Sequence, residues 1–330
     1  MNTRSIAFWF NALLLAMLAL VPLYASVASE PFLMTFASRV LVFAVAAISL
    51  NMILGYGGMV SFGHALYMGI GAYCVGIMAS HGLSNGWLQV AVMMISCALV
   101  GLITGLVSLR TSGIAFIMIT LAFAQMFYYL FVSLKPYGGD DGLPLDVKSN
   151  FGFFDLSSAT VLYYFALLAV VSSLYVSART VDARFGMVLR GARLNERRMK
   201  ALGFATTRYK LLAYVWSCML CGMSGFLYAN LTAFTSPAYL AWTVSGELIV
   251  MVVLGGMGTI FGPLVGALTL LLSEEILKAI TDHWMAILGP LIVLVVLTAK
   301  RGLYGFLLDW DAARARRSKL WSAGPDQGGK

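Results

Sequence analysis

Cys218 and Cys221 stand as a C-x-x-C, the spacing of thiol redox centres and of half a zinc site. Both lie in the middle of an apolar run with no histidine or acid beside them, so packing as small side chains is the expected role. Asp140 and Asp141 could offer oxygens to a cation, but a compact calcium loop needs more such ligands at regular intervals. His64 sits in an apolar, glycine-rich stretch where a titrating imidazole could relay protons; a histidine satisfied by a neighbouring backbone carbonyl is the competing reading. Glu247, an acid within a short apolar run, is a suspect on the same ground, although it stands near enough to an end to reach water. These residues do not assemble into a reaction centre. The sequence has no G-x-x-x-x-G-K-[ST] phosphate loop, no H-E-x-x-H and no histidine with a nucleophile and an acid to work with. It is therefore not expected to hydrolyse ATP or to act as an enzyme, and no metal or cofactor is expected in this chain.

The elements that carry these residues are built of hydrocarbon. Of 330 residues, 60% are hydrophobic and 11% charged, against about a quarter charged in a soluble domain. At about 20 apolar residues per crossing, and with the polar loops set aside, there is room for about 8 to 10 transmembrane helices, which makes an all-α polytopic membrane protein. The net charge of +8 could suggest nucleic acid, but the Lys and Arg residues gather in 179–210 and 300–319. Positive-inside sorting accounts for that pattern, and no nucleic-acid partner is expected.

Apolar runs at 6–23, 39–54, 88–109, 114–132, 160–178, 211–231, 267–280 and 284–297 are the candidate spans. The first is kept as a helix, although the small residues Ala25, Ser26 and Ala28 weakly fit a cleavage site. Between the second and third lies 55–73, where Gly57, Gly58 and Gly63, with Ser61 and His64 among them, belong to a glycine cluster. Each glycine costs a helix interior about 1 kcal/mol against alanine, so the cluster marks either a helix break sheltered by protein or a face for close helix approach. A second cluster, Gly255, Gly256 and Gly258, follows the run that carries Glu247, and GGMVSFG at 57–63 recurs approximately as GGMGTIFG at 255–262. Both segments run in the same direction, which does not fit an inverted repeat. Gln125 and Thr120 could line a polar path or bond to a neighbouring helix.

Residues 179–210 form the one long basic segment between spans, with nine Lys and Arg against Asp182 and Glu196, which places it on the cytoplasmic side. The loop at 135–156, one span earlier, is then outside, and both termini are cytoplasmic. Within the basic segment Asn195 can cap a short helix over 196–202 that Gly203 ends, with Met199 and Leu202 sharing a face. Such a helix cannot bury that face alone, so it either docks a cytoplasmic partner or belongs to a solvated loop that only fixes topology.

The order Gly191, Arg193, Asn195, Glu196, Ala201, Gly203, Lys210 resembles the cytoplasmic coupling loop of branched-chain amino-acid ABC permeases of the LivM type, with Leu194 and Met199 where that family would carry a Glu and a small residue. SFGHALYMGIGAY at 61–73, the L-R-x-x-G turn at 109–113 leading into TLAF at 120–123, GGDDGL at 138–143 and LGGMGTIFGPLVGA at 254–267 resemble further signatures of the same family, in the same order. The resemblance implies a permease domain over 1–308 with a coupling loop at 179–210, followed by a basic cytoplasmic tail at 309–330. Arg193, Asn195, Glu196, Met199, Leu202 and Gly203 would meet the ATPase, and the two glycine clusters with His64 and Glu247 would flank the translocation path. It further implies a LivH-type second permease, two cytoplasmic ATP-binding subunits that hold ATP and magnesium, a periplasmic substrate-binding protein, and a multi-pass place in a bacterial inner membrane. Permeases for urea or short amides share these motifs, and an ion-coupled carrier using Glu247 and His64 is the alternative from another class.

Overall fold

The computed structural model describes residues 6–28, 31–152, 154–298 and 302–306. The helices are α1 (Ile6–Ala28), α2 (Pro31–Asn51) running on into a π-helical turn at Met52–Tyr56, α3 (His64–Ser80), α4 (Gly86–Ser108), α5 (Ile114–Ser133), α6 (Ala159–Asp182), α7 (Arg184–Leu194), α8 (Glu196–Ala201), α9 (Thr206–Thr232), α10 (Trp242–Gly255), α11 (Gly262–Ile280) and α12 (Trp284–Thr298). Among the described residues six helices are long and apolar enough to cross a membrane: α1, α2 with its π turn, α4, α5, α6 and α9. The shorter α3, α10 and α12 are apolar as well.

The core lies where α2, α3 and α9 meet. From Val40 to Asn51 α2 is buried on every side, as expected of a helix that is apolar all round, whereas α5 buries only Phe116, Thr120 and Ala124 and turns the rest of its apolar surface outward. Hydrophobic patterning alone cannot drive helices together in lipid, so packing depends on small residues that let backbones approach. A Cβ on Gly71 would run into the Gly222 carbonyl, and one on Gly225 into the Met68 carbonyl, so α3 and α9 touch backbone to backbone. Both readings of the glycine cluster at 55–73 hold, each for a part of it: 57–63 leaves the helix, and Gly69 and Gly71 are packing residues inside α3.

Two expectations change. Helix α2 begins at Pro31, ahead of the run at 39–54, because Arg39 does not end it: α11 supplies a counter-charge, Glu274 at 3.5 Å, and the guanidinium lies over the Phe43 ring. The all-α class gains a small antiparallel pair, β1 (Leu143–Pro144) on β2 (Phe234–Thr235), which ties the 134–158 loop to the end of α9. That loop is anchored elsewhere too, with the Ser149 amide donating to Asn230 Oδ1 at 2.9 Å and the Asn150 amide to the Ser84 carbonyl at 2.8 Å. Helix α1 is held to α6, where the Tyr163 hydroxyl donates to the Leu18 carbonyl. The basic tail at 309–330 lies outside the described residues.

Candidate functional site

Helix α2 unwinds through its π turn and connector 57–63 before α3 begins, and α10 gives way to connector 256–261 before α11 begins. Each break frees backbone groups that nothing in hydrocarbon can satisfy, so side chains must do it. For α3 they come from two helices and from the connector itself. The Phe62 amide donates to Thr120 Oγ1 of α5 at 3.3 Å, the Gly63 amide to Ser61 Oγ at 3.2 Å, and the Ala65 amide to Ser245 Oγ of α10 at 2.9 Å. Thr120 is thus buried as a support for α3, and Ser61 caps its own turn.

His64 opens α3 fully buried. Its Nε2 lies 2.8 Å from Ser217 Oγ of α9, and that hydroxyl donates onward to the Ser49 carbonyl of α2. With the hydroxyl proton spent on Ser49, His64 must donate from Nε2, and Nδ1 faces no hydrogen-bonding group among the described residues. The chain of bonds ends on a main-chain carbonyl, which cannot pass a proton on. A serine therefore satisfies His64 in place of the backbone carbonyl that was expected, and the bond pins α3 to α9. Cys221 beside it donates to the His64 carbonyl, a sulfur contact of 3.3 Å, so the C-x-x-C does bring one thiol to the histidine, through its main chain.

The two breaks meet. Asn51, buried at the end of α2, accepts from the Gly258 amide at 3.0 Å and donates to the Thr259 carbonyl at 2.8 Å, spending both ends of its amide on the second connector. Gly58 and Gly258 both have positive φ, +69° and +76°, which side chains with a Cβ rarely adopt. Gly255 ends α10, where a Cβ would strike the Gly262 carbonyl of α11, and Gly256 takes the backbone out of the helix. The weak likeness between 57–63 and 255–262 thus corresponds to two similar helix–break–helix corners in contact. Asn51 was missed in the sequence; a lone amide at the end of an otherwise apolar span, one turn before the glycines, was the available signal.

The basic segment covers these corners. It holds a helix that the sequence reading did not give, α7, whose Phe185, Val188, Leu189 and Ala192 face inward at helical spacing. The α8 helix has the expected cap, Asn195 Oδ1 accepting from the Arg198 amide at 3.0 Å, and ends at Gly203 with φ +87°. Glu196 joins it to the start of α9 through Lys210 Nζ at 2.6 Å. Two expected docking residues make contacts within the permease. Met199 packs half-buried against Gly191, away from Leu202, and Arg193 reaches back to donate to the Gly55 carbonyl. Outward stand two leucines, Leu194 at 87% exposed and Leu202 at 66%, among the exposed basic residues Arg197, Arg198 and Lys200. A cavity of about 330 Å³ lies between this unit, the first break and the α4–α5 turn, lined by Gly58, Thr111, Gly113, Arg193, Glu196 and Lys210.

Glu247 is set apart from the breaks. It is exposed on α10 and makes no ion pair among the described residues, while nearby Arg39 and Lys278 are both bonded to Glu274, at 3.5 and 2.5 Å.

Residues 32–296 match the family described as "Branched-chain amino acid transport system / permease component". The high-affinity branched-chain amino acid transport system permease protein LivM of Escherichia coli is 28% identical over 291 residues, covering 81% of this chain and 68% of its own. Its Salmonella typhimurium counterpart is equally similar. The permease protein LivH of Escherichia coli is 25% identical over 281 residues, covering 80% of this chain and 91% of its own. No solved structure matches the chain.

Proposed function

The chain belongs to the branched-chain amino acid transport system permease family, as a permease of the LivM type, and from that premise we propose that it carries branched-chain amino acids across a bacterial inner membrane by alternating access driven by ATP hydrolysed in partner subunits. Its pore is shared with a LivH-type permease, two ATP-binding subunits dock from the cytoplasm, and a periplasmic protein delivers substrate. The observation that supports this reading best is the α7–α8 unit. It sets two exposed leucines, Leu194 and Leu202, on a basic segment directly over the meeting point of two helix breaks. Such a unit suits a lever between a soluble motor and a membrane gate.

Orientation follows from the same unit. With the basic segment cytoplasmic, and with α3, α10, α11 and α12 counted as crossings beside the six long spans, both ends of the chain fall on the cytoplasmic side.

The test is uptake by vesicles holding the assembled transporter and its binding protein. Leucine uptake should require ATP inside and survive collapse of the proton gradient, in the Glu247→Gln variant as in wild type. Uptake that followed the gradient at constant ATP would overturn the ATP-driven reading, and uptake of urea in preference to leucine would overturn the substrate.

A further inference from the structure

Arg193 and Asn51 both reach the two glycine breaks. The Arg193 stem lies against Gly58, where an added Cβ would stand 2.8 Å from its Cγ, and the guanidinium donates to the Gly55 carbonyl, an acceptor left free as the helix unwinds. The same guanidinium borders the second break, since a Cβ on Gly258 would be 3.7 Å from its Nη1. Asn51 holds Gly258 and Thr259 by both ends of its amide. The first break is thereby bonded to α7, and the second to the first.

We propose that Arg193 is a positioning residue which, with Asn51, latches both helix breaks to the coupling unit, so that a displacement of α7 moves the two corners together. The proposal rests on reading α7–α8 as the ATPase contact, and it gives Arg193, an exposed residue, a bond into the permease at the Gly55 carbonyl in place of a docking role. Three features make the latch mechanical. Arg193 is followed at once by exposed Leu194, so push and pull enter one residue from the bond. Glu196 fixes the far end of the unit to α9 through Lys210, which makes α7 swing about a held point. The cavity of about 330 Å³ beside the first break gives the corner room to shift. Coupling of this kind needs a demonstrated two-site link, and variants at both ends supply it.

Two readouts test the latch. In the assembled transporter, Arg193→Gln should leave the ATPase subunits co-purifying in normal amount while the substrate moved per ATP hydrolysed falls about ten-fold, the scale of one lost hydrogen bond to a charged group. Asn51→Leu should do the same, and the double variant should be no worse than either, because both cut one link. Arg193→Lys should recover part of the ratio, since an ammonium can still donate to the Gly55 carbonyl. In the purified chain alone, hydrogen exchange should quicken in 57–63 and 256–261 together on Arg193→Gln. The second readout needs no partner, so it separates failure of the latch from failure of the transport reading. An unchanged transport ratio in Arg193→Gln, loss of co-purification, losses that multiply in the double variant, or faster exchange confined to 57–63 would each overturn the proposal.

Discussion

Glu196 receives Lys200 at 2.8 Å, Lys210 at 2.6 Å and the Thr206 hydroxyl at 3.3 Å. Partial burial pushes its carboxyl up, but hydrogen bonds and charge from the two ammoniums outweigh that and hold it at about 2, below the ordinary 4.5. A carboxylate whose folded value is depressed stabilises the fold fully above its unfolded value and loses that contribution as pH falls through the folded one. The margin in Tm between wild type and Glu196→Gln should therefore be constant from pH 7 down to about 4.5 and close as pH falls toward 2. Melting curves of the purified chain across that range check it; a margin that vanished between pH 7 and 5 would point to another group. The sequence placed Glu196 in a first helical turn, but its Lys210 partner had to wait for the fold.

At the scale of the element, α8 is a short lever with two local fixings, and they predict unequal damage. Gly203 has φ +87° and open space where a Cβ would go, so Gly203→Val suffers backbone strain alone, severe for a β-branched residue. Losing the Asn195 cap costs about 1 kcal/mol. Gly203→Val is expected to reach the membrane in normal amount yet lose stimulation of ATP hydrolysis by the loaded binding protein, with Asn195→Ala reduced less. Full stimulation and uptake in Gly203→Val would return the segment to a topology signal. Both fixings were legible because a cap and a terminating glycine act within one turn of the backbone. Helix α7 was legible in principle, since its inward residues keep helical spacing, but its five Lys and Arg neighbours between 184 and 198 obscured the pattern.

For the whole molecule, sidedness is the property to measure. Ser149 in the 134–158 loop is fully buried and bonded to Asn230, so a cysteine there would not report on solvent. Asp146 is exposed in the same loop, and Arg197 is exposed in the basic segment. Asp146→Cys should react with an impermeant maleimide on intact cells, and Arg197→Cys only after the cells are opened. The reverse pattern would invert the topology and with it the cytoplasmic docking of α7–α8.

Composition, charge asymmetry and short motifs by themselves determined that this chain spans a membrane many times, that residues 179–210 are its one basic segment between spans, and that a capped helix lies within it. These are properties of single segments in water or lipid, so they need no knowledge of neighbours. Tertiary structure alone decided which glycines break a helix and which pack one. Gly71 and Gly57 belong to one cluster in the sequence, yet one faces the Gly222 carbonyl and the other lies in the connector. It also decided that Asn51 serves a glycine 207 positions away and Arg193 a carbonyl 138 positions back. Helices that are apolar on every face carry no stripe to say which neighbour they meet. The partner of each buried polar group is therefore fixed only when the bundle closes.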